Sequence, residues 1–366
     1  MDALTTLSNW QRVRLGDICE IVKGQQINKI SLNNTDKYPV INGGIDFLGY
    51  TNKFNVSKNT IAISEGGTCG YVRFMTSDFW SGGHNYSLQK ISNKVNNLCL
   101  YHILKSYEKD IMKLGVGSGL KNIQLKALKD FEIPLPPLNE QIAIANILSA
   151  LDRYLCALDA LILKKEGVKK ALSFELLSQR KRLKGFNQAW QRVRLGDICE
   201  IVKGQQINKI SLNNTDKYPV INGGIDFLGY TNKFNVSKNT IAISEGGTCG
   251  YVRFMTSDFW SGGHNYSLQK ISNKVNNLCL YHILKSYEKD IMKLGVGSGL
   301  KNIQLKALKD FEIPLPPLNE QIAIANILSA LDHEIISLKN KKRQFENIKK
   351  ALNHDLMSAK IRVLKK

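Results

Sequence analysis

Two long segments of the chain carry apolar residues at alternating spacings of four and three. This 3.5-residue period is typical of a coiled-coil seam, so it predicts two long helices that pair along one face. The seam residues are Ile144, Leu148, Leu151, Leu155, Leu158 and Ile162 in the first segment, and Ile324, Leu328, Leu331, Ile335 and Leu338 in the second. The first phase resumes at Leu172, Leu176 and Leu183, after lysines at 165 and 169. The second continues at Phe345, Leu352, Leu356 and Val363, and lysines at 342 and 349 interrupt it. Forty helical residues reach about 60 Å, which favours pairing of the two helices over packing of each on its own globule.

Shorter apolar runs punctuated by glycine precede each predicted helix. Strands are predicted within residues 10–27, 38–44, 60–64, 71–75 and 86–91, an ordered polar loop at 78–85 and a helix at 98–113. The proline-rich stretch 133–141 (Ile-Pro-Leu-Pro-Pro-Leu-Asn-Glu-Gln) predicts a rigid extended joint, because proline ends preceding elements. These patterns predict an α+β globule.

The globule occurs twice. Residues 10–152 recur letter for letter as residues 190–332, at an offset of 180. A period of this length indicates a duplicated domain, since solenoid repeats are much shorter. We therefore expect globules at 1–138 and 186–318, and spacer helices at 139–185 and 319–366.

The net charge of +20 indicates a polyanionic partner, most often nucleic acid. Each repeat holds 16 basic and 12 acidic residues, whereas residues 153–189 hold 9 against 3 and residues 333–366 hold 10 against 3. More than half of the excess thus lies in the unrepeated segments. These segments could follow phosphates or dock acidic partner proteins, and a plain solubility charge is the remaining alternative.

The motif content points to binding and not to catalysis. The chain has no P-loop, no H-E-x-x-H and no G-x-S-x-G motif. The glycine cluster at 115–119 lacks the dinucleotide fingerprint, which leaves a loop that approaches DNA or a plain turn. His84 and His102 do not stand at metal-ligand spacing with the cysteines, so no metal site is expected. Seven cysteines without a C-x-x-C pair favour reduced thiols in the cytoplasm.

The order of these features resembles the DNA-specificity (S) subunit of type I restriction-modification systems, over the whole chain. The residues that carry the resemblance are the joint at 133–141 with Asn122-Ile123 before it, the helix motif Lys169-Lys170-Ala171-Leu172, and the motifs at 39–44 and 65–70.

The resemblance implies an α+β protein in which two target-recognition domains are joined by an antiparallel coiled coil with approximate two-fold symmetry. Each domain would read one half of a bipartite site in double-stranded DNA, with the coiled coil as the ruler between the halves. Two methyltransferase (M) subunits would bind the chain, and two restriction (R) subunits could join them. S-adenosylmethionine, ATP and Mg²⁺ would belong to those partners, in the cytoplasm of a bacterium or archaeon.

The identity of the two copies departs from the family, in which the two recognition domains usually differ. Antiparallel helices would relate the copies by a two-fold axis, so we hypothesise a target made of a half-site, a spacer and the reverse complement of that half-site.

Base reading needs polar side chains on loops that reach groove depth, with lysines for the phosphates. The DNA-contact candidates of the first copy are Lys23, Gln25, Gln26, Lys29, Thr68, Ser81, His84, Asn85, Ser118, Lys121 and Asn122. Those of the second copy are Lys203, Gln205, Gln206, Lys209, Thr248, Ser261, His264, Asn265, Ser298, Lys301 and Asn302.

Two other functions compete with the specificity subunit. One is a coiled-coil scaffold or assembly protein that does not read DNA. The other is a self-contained methyltransferase or nuclease, against which the missing catalytic motifs count heavily.

Overall fold

The computed structural model describes residues 9–358, 360, 361 and 363. In the first copy the strands are β1 Gln11–Arg14, β2 Glu20–Lys23, β3 Tyr38–Ile41, β4 Gly49–Thr51, β5 Thr60–Ser64, β6 Val72–Met75, β7 Trp80–Ser81, β8 Asn85–Gln89, β9 Gly115–Val116, β10 Asn122–Ile123 and β11 Glu132–Leu135. The helices are α1 Leu15–Ile18, α2 Asn97–Ser106, α3 Glu108–Lys113, α4 Leu125–Lys129 and α5 Leu138–Leu177.

The second copy repeats these elements at the same offset. Its strands are β12 Gln191–Arg194, β13 Glu200–Lys203, β14 Tyr218–Ile221, β15 Gly229–Thr231, β16 Thr240–Ser244, β17 Val252–Met255, β18 Trp260–Ser261, β19 Asn265–Gln269, β20 Gly295–Val296, β21 Asn302–Ile303 and β22 Glu312–Leu315. Its helices are α6 Leu195–Ile198, α7 Asn277–Ser286, α8 Glu288–Lys293, α9 Leu305–Lys309 and α10 Leu318–Met357.

A four-stranded antiparallel sheet in the order β2-β8-β5-β6 forms the centre of the first globule. Strand β5 is buried on both faces, because Ile61 and Ile63 enter the main core while Ala62 enters a smaller core around Phe79. This double burial explains the unbroken apolar run of that strand. A three-stranded sheet in the order β4-β3-β7 flanks it, and β9 pairs with β10 as a short hairpin.

The structure confirms the predicted α+β class and refines several elements. The loop predicted at 78–85 contains the short strand β7, which pairs in parallel with β3. The proline-rich joint contributes β11, which pairs antiparallel with β1 at the other end of the globule sequence. The helix predicted at 98–113 is divided at Tyr107 into α2 and α3. These pairings join residues far apart in sequence, so no local pattern could predict them.

The described residues form two compact units, and each unit takes parts of both long helices. The first comprises the described residues within Met1–Asp159 and Asn340–Lys366, and the second comprises Ala160–Lys339. The predicted division of the sequence into globules and spacer helices at residues 138, 185 and 318 remains a prediction. The fold itself combines one globule, the start of the helix that follows it and the end of the other helix.

In the first unit the two helix segments run antiparallel. Asp152 pairs with Lys349, and Asp159 pairs with Lys342 at 2.6 Å. One residue number rises by seven while the other falls by seven, which only opposite chain directions allow. The rings of Tyr154 and Phe345 pack against each other in the same interface, with centroids 4.6 Å apart and planes tilted by 54°.

In the second unit the helices pair in the same manner. Lys169 pairs with Asp332, and Lys165 pairs with Glu334 at 2.8 Å. The predicted antiparallel coiled coil is thus confirmed within each unit. The lysines that interrupt the apolar seam bind acidic residues of the facing helix, and a charged seam position of this kind specifies register at some cost in stability.

The ends of the long helices complete the globular cores. Leu356 and Met357 of α10 belong to the main core of the first unit, together with Ile144 and Leu148 of α5. Leu177 of α5 likewise belongs to the core of the second unit. Helix α5 ends there, ahead of the predicted boundary at 185, and Gln179 follows in a left-handed conformation with φ of 60°. No described helix is long and apolar enough to cross a membrane.

An ion pair ties the chain after α5 to the second globule. Arg182 donates from Nε and Nη2 to the two carboxylate oxygens of Glu320, each at 2.7 Å. The Glu320 side chain is only 1% exposed and also accepts from the Trp190 indole at 3.0 Å. The Arg182 guanidinium is therefore engaged within the fold, and it is less available to bind DNA phosphates than an exposed basic side chain would be.

Each unit contains a buried histidine, His102 or His282, close to charged residues of the paired helices. Burial lowers the pKa of His102 to about 4, with Asp152 opposing this effect and Lys349 adding to it. Burial lowers the pKa of His282 to about 4 in the same way, between Asp332 and Lys169. Each histidine is neutral in the native state and takes up a proton on unfolding below the ordinary histidine pKa of about 6.5.

We therefore expect stability to be complete above pH 6.5 and to fall as the pH drops from 6.5 to 4, by at most about 3 kcal/mol per histidine. Urea denaturation at several pH values would measure this slope. The double variant His102→Leu/His282→Leu should flatten it, and a slope equal to that of the wild type would contradict the assignment.

Candidate nucleic-acid interface

Five chain segments meet beyond the ends of β2, β3, β5 and β7 and at the β9–β10 hairpin. We call them the loop cluster, defined as residues 24–26, 42–43, 65–68, 82–84 and 121–122. Backbone hydrogen bonds join them: Glu65 N–H donates to the His84 carbonyl at 2.8 Å, and Thr68 N–H donates to that of Gly43 at 2.8 Å. Ile123 N–H donates to the Glu65 carbonyl at 2.9 Å, which attaches the hairpin. Candidates that are up to about 100 positions apart in sequence are thus brought together.

Glycines allow this convergence because their backbones lie too close for side chains. A Cβ on Gly24 would stand 2.1 Å from the Gly82 carbonyl oxygen, and a Cβ on Gly83 would stand 2.5 Å from the Gln26 amide nitrogen. A Cβ on Gly66 would stand 2.2 Å from Asn122 Oδ1. The neighbour of Gly24 is backbone, which cannot turn aside, whereas a side chain at Gly66 or Gly83 would displace the Asn122 or Gln26 side chain from its place in the cluster.

Replacing Gly24 and its copy Gly204 with alanine should lower the free energy of unfolding by about 1–3 kcal/mol per copy, because backbone must move to admit the methyl group. Urea denaturation would measure the loss. Gly119→Ala with Gly299→Ala is the matched control, since nothing lies within 4 Å of either added methyl group. Equal stability of the two double variants would contradict the packing argument.

Lys23, Glu65 and Tyr86 form a hydrogen-bonded group at the edge of the cluster. Lys23 Nζ lies 2.7 Å from Glu65 Oε1, and the Tyr86 hydroxyl donates to the same oxygen at 3.2 Å. Burial and then the Glu65 charge raise the pKa of Tyr86 to about 12, so its hydroxyl stays a donor at neutral pH. Glu65 is a mostly buried carboxylate, 12% exposed, among candidates that can all donate hydrogen bonds.

The structure sorts the sequence-predicted contact residues into three groups. Those exposed within the cluster are Gln25, Gln26, His84, Lys121 and Asn122, with Lys23 exposed at its edge and Thr68 half-buried. Lys29 and Ser118 are also exposed, but they lie in neighbouring loops, a single 3-10 turn and the β9–β10 hairpin tip.

Ser81 and Asn85 correct the prediction, because both side chains are buried. The Ser81 backbone pairs with the Asn55 side chain, accepting at 3.1 Å and donating at 2.7 Å, and Asn85 Oδ1 accepts from the Ser64 hydroxyl at 3.4 Å. These residues hold the Trp80 loop from within and cannot reach a duplex in this conformation. The same applies to Ser261 and Asn265.

Three residues that hold the loops were missed by the candidate list. Trp80 Nε1 donates to the Gln25 carbonyl at 2.9 Å, and Asn42 Oδ1 accepts from His84 N–H at 3.1 Å. Glu65 is the third. Glu65 and Asn42 lie in the motifs that carry the family resemblance, so the sequence could have marked both positions as important. It could not have shown which residues they bind.

The second copy builds the same cluster. Lys203 lies 2.7 Å from Glu245, Trp260 donates to the Gln205 carbonyl at 2.9 Å, and His264 N–H donates to Asn222 at 3.1 Å. Lys209, Thr248, Ser298, Lys301 and Asn302 occupy the positions of their first-copy equivalents. Among the described residues, no group of three or more His, Cys, Asp or Glu side chains could hold a metal ion.

Comparison with known proteins gives the family of the chain. Residues 7–165 and 187–347 each match the family model of the type I restriction modification DNA specificity domain. The chain therefore belongs to this family of DNA specificity proteins. The family is defined by DNA specificity, and the chain is accordingly a specificity component and not an enzyme.

Individual relatives agree over nearly the full length. A proposed type I specificity subunit of Mycoplasma genitalium is 29% identical over 343 residues, which cover 91% of this chain and 90% of the relative. A proposed specificity subunit of a type I restriction enzyme of Methanocaldococcus jannaschii is 31% identical, covering 94% and 84%. The crystal structure of an S subunit from M. genitalium superposes with a TM-score of 0.81 at 27% identity, covering 96% and 97%.

Proposed function

We propose that this protein reads a bipartite site in double-stranded DNA and directs methyltransferase and restriction subunits to it. The observation that carries the proposal is the loop cluster, in which exposed amide, imidazole and ammonium groups from five segments converge in a chain of charge +20. Glutamine and asparagine side chains can pair with adenine edges, while lysines contact phosphates or guanine. Membership of the DNA specificity family supports the same conclusion.

The two half-sites of the proposed target are the same sequence in opposite orientation. Two identical copies present identical clusters, and the helices run antiparallel within each unit. A two-fold relation between the copies would place one half-site as the reverse complement of the other, with a spacer set by the coiled coil.

The proposed partners supply the chemistry. Two M subunits bind the chain, R subunits join for cleavage, and S-adenosylmethionine, ATP and Mg²⁺ are bound by those subunits in the cytoplasm of a bacterium or archaeon. The related crystal structure is described as the S subunit of a type I restriction-modification system, which supports this assembly.

Methylation mapping tests the proposal. The chain is expressed with its M subunit in a host without modification systems, and methylated bases are mapped across the genome. The expected motif is an inverted repeat with an unspecified spacer. Two unrelated half-sites would refute the symmetry while keeping the specificity role, and absence of any motif would refute both.

A scaffold that does not read DNA is the alternative, and salt dependence separates the two. A DNA-binding chain loses affinity steeply as the salt concentration rises. The reason is that lysines bound to phosphates displace counterions from the DNA, and added salt opposes this release. Arg180→Gln with Lys181→Gln tests the basic tail while keeping the structural Arg182–Glu320 pair. A shallower salt slope would indicate phosphate contacts, whereas an unchanged slope with weaker M-subunit binding would indicate protein docking.

A further inference from the structure

The tip of the β9–β10 hairpin exposes large apolar side chains. Leu120 is 82% exposed and Val116 is 55% exposed, and the equivalents Leu300 and Val296 are 81% and 55% exposed. A single exposed leucine is ordinary on a protein surface. Val116 and Leu120 together, on a seven-residue tip that also carries Ser118, Lys121 and Asn122, make a mixed surface of apolar and donor groups.

The base of this hairpin is fixed to the loop cluster. Val116 pairs with Asn122 and Gly115 with Ile123, while Ile123 N–H donates to the Glu65 carbonyl at 2.9 Å. The Asn122 side chain packs directly on Gly66. The tip beyond the base is uncrowded, since residues 116–122 are all exposed and no atom lies within 4 Å of a Cβ built on Gly119. The hairpin is thus a projection with an ordered base beside the candidate reading residues.

The sequence of the hairpin and of the residues that flank it is basic. Residues 113–129 contain four lysines, at 113, 121, 126 and 129, and no acidic residue. Lys113 is paired with Asp110 at 2.7 Å, whereas Lys121 stands exposed next to Leu120. An apolar side chain between a basic residue and a serine can contact base surface while its neighbours contact the phosphates.

We propose that the hairpin tip enters a groove of the duplex, where Leu120 packs against an apolar base surface and Lys121 contacts the adjacent phosphate. This inference rests on the proposed function. It assigns the apolar contact with the bases to Leu120 in the first copy and to Leu300 in the second. The apolar base surface is a thymine methyl group in the major groove or the face of an opened base step.

The test uses the full chain with its M subunit and the variant Leu120→Ala/Leu300→Ala. Duplexes are first selected by the wild-type complex from a random 40-base-pair library, and affinities are then measured for one selected duplex and one scrambled duplex. Removing most of a leucine from a buried contact should weaken binding to the selected duplex by about tenfold for each copy. Affinity for the scrambled duplex should change little, and Leu120→Met/Leu300→Met should restore most of the loss.

The control variant is Leu98→Ala/Leu278→Ala, which removes an exposed leucine from the start of α2 and α7. It should leave both affinities unchanged. Both double variants should fold, because Leu120 and Leu300 are more than 80% exposed and Leu98 and Leu278 lie outside the buried core clusters.

The outcomes separate the inference from the function on which it rests. Equal affinity of the wild type and Leu120→Ala/Leu300→Ala for the selected duplex overturns the inference and keeps the specificity role. Loss of M-subunit binding in that variant would assign the tip to protein docking and also overturn the inference. Failure of the wild type to enrich any duplex would refute the proposed function itself. Where the tip does read DNA, deoxyuridine in place of thymidine reports the methyl contact, and 2-aminopurine fluorescence reports an opened step.

Discussion

Replacing Leu356 with alanine is expected to lower the free energy of unfolding of the first unit by about 2–5 kcal/mol. Leu356 is 1% exposed and lies in the main core of that unit, although it stands near the opposite end of the chain from the globule. The alanine leaves a cavity at the end of α10 in the core that also contains Ile144 and Leu148 of α5. The second unit contains no part of that cavity and should keep its stability.

The readout must distinguish two units of nearly identical sequence. Hydrogen exchange measured by mass spectrometry cannot do so, because peptides from residues 10–152 and 190–332 have identical sequences and masses. Urea denaturation can, since the variant should split one transition into two, with about half of the signal moving to lower urea. Ile348→Ala is the matched control, because Ile348 lies on the same helix and is 50% exposed. A single unsplit transition for Leu356→Ala would contradict the assignment of α10 to the first core.

A substitution in only one copy is expected to make only one half-site degenerate. Gln26 is exposed in the loop cluster with its amide packed on Gly83, which suits a side chain that reads a base edge. A lost base contact costs about 1–3 kcal/mol of discrimination. Gln26→Ala, with Gln206 unchanged, should therefore relax one position by about ten- to a hundredfold in one half-site of the methylation motif.

Methylation mapping with the coexpressed M subunit measures this change. Gln206→Ala alone should give the reverse complement of that motif, which is the same duplex site read from the other strand, and the double variant should relax both halves. Lys90→Ala is the control, because Lys90 pairs with Glu20 at 2.8 Å at the end of β2 away from the cluster. An unchanged motif for Gln26→Ala would remove Gln26 from the list of reading residues.

The sequence alone determined the architecture of this protein to a large extent. The apolar 3.5-residue period determined two paired helices, because a seam must stay on one face along the whole helix. Exact repetition determined two equal globules. The short apolar run within residues 60–64 placed a buried strand correctly, since a run of this length bounded by polar residues is typical of a strand covered on both faces.

Only the tertiary structure decided how these parts are combined. The pairing of β1 with β11 joins distant residues and leaves no local period to detect. The apolar period does mark Leu356 as a residue to be buried, but it does not say that Leu356 enters the core of the first globule. The same holds for the loop cluster. The polar character of Ser81 and Asn85 suggested contact with DNA, but burial depends on what packs above a side chain. The exposed Gln26 and Asn122, in contrast, rest on glycines of other loops, and that neighbourhood exists only after the chain has folded.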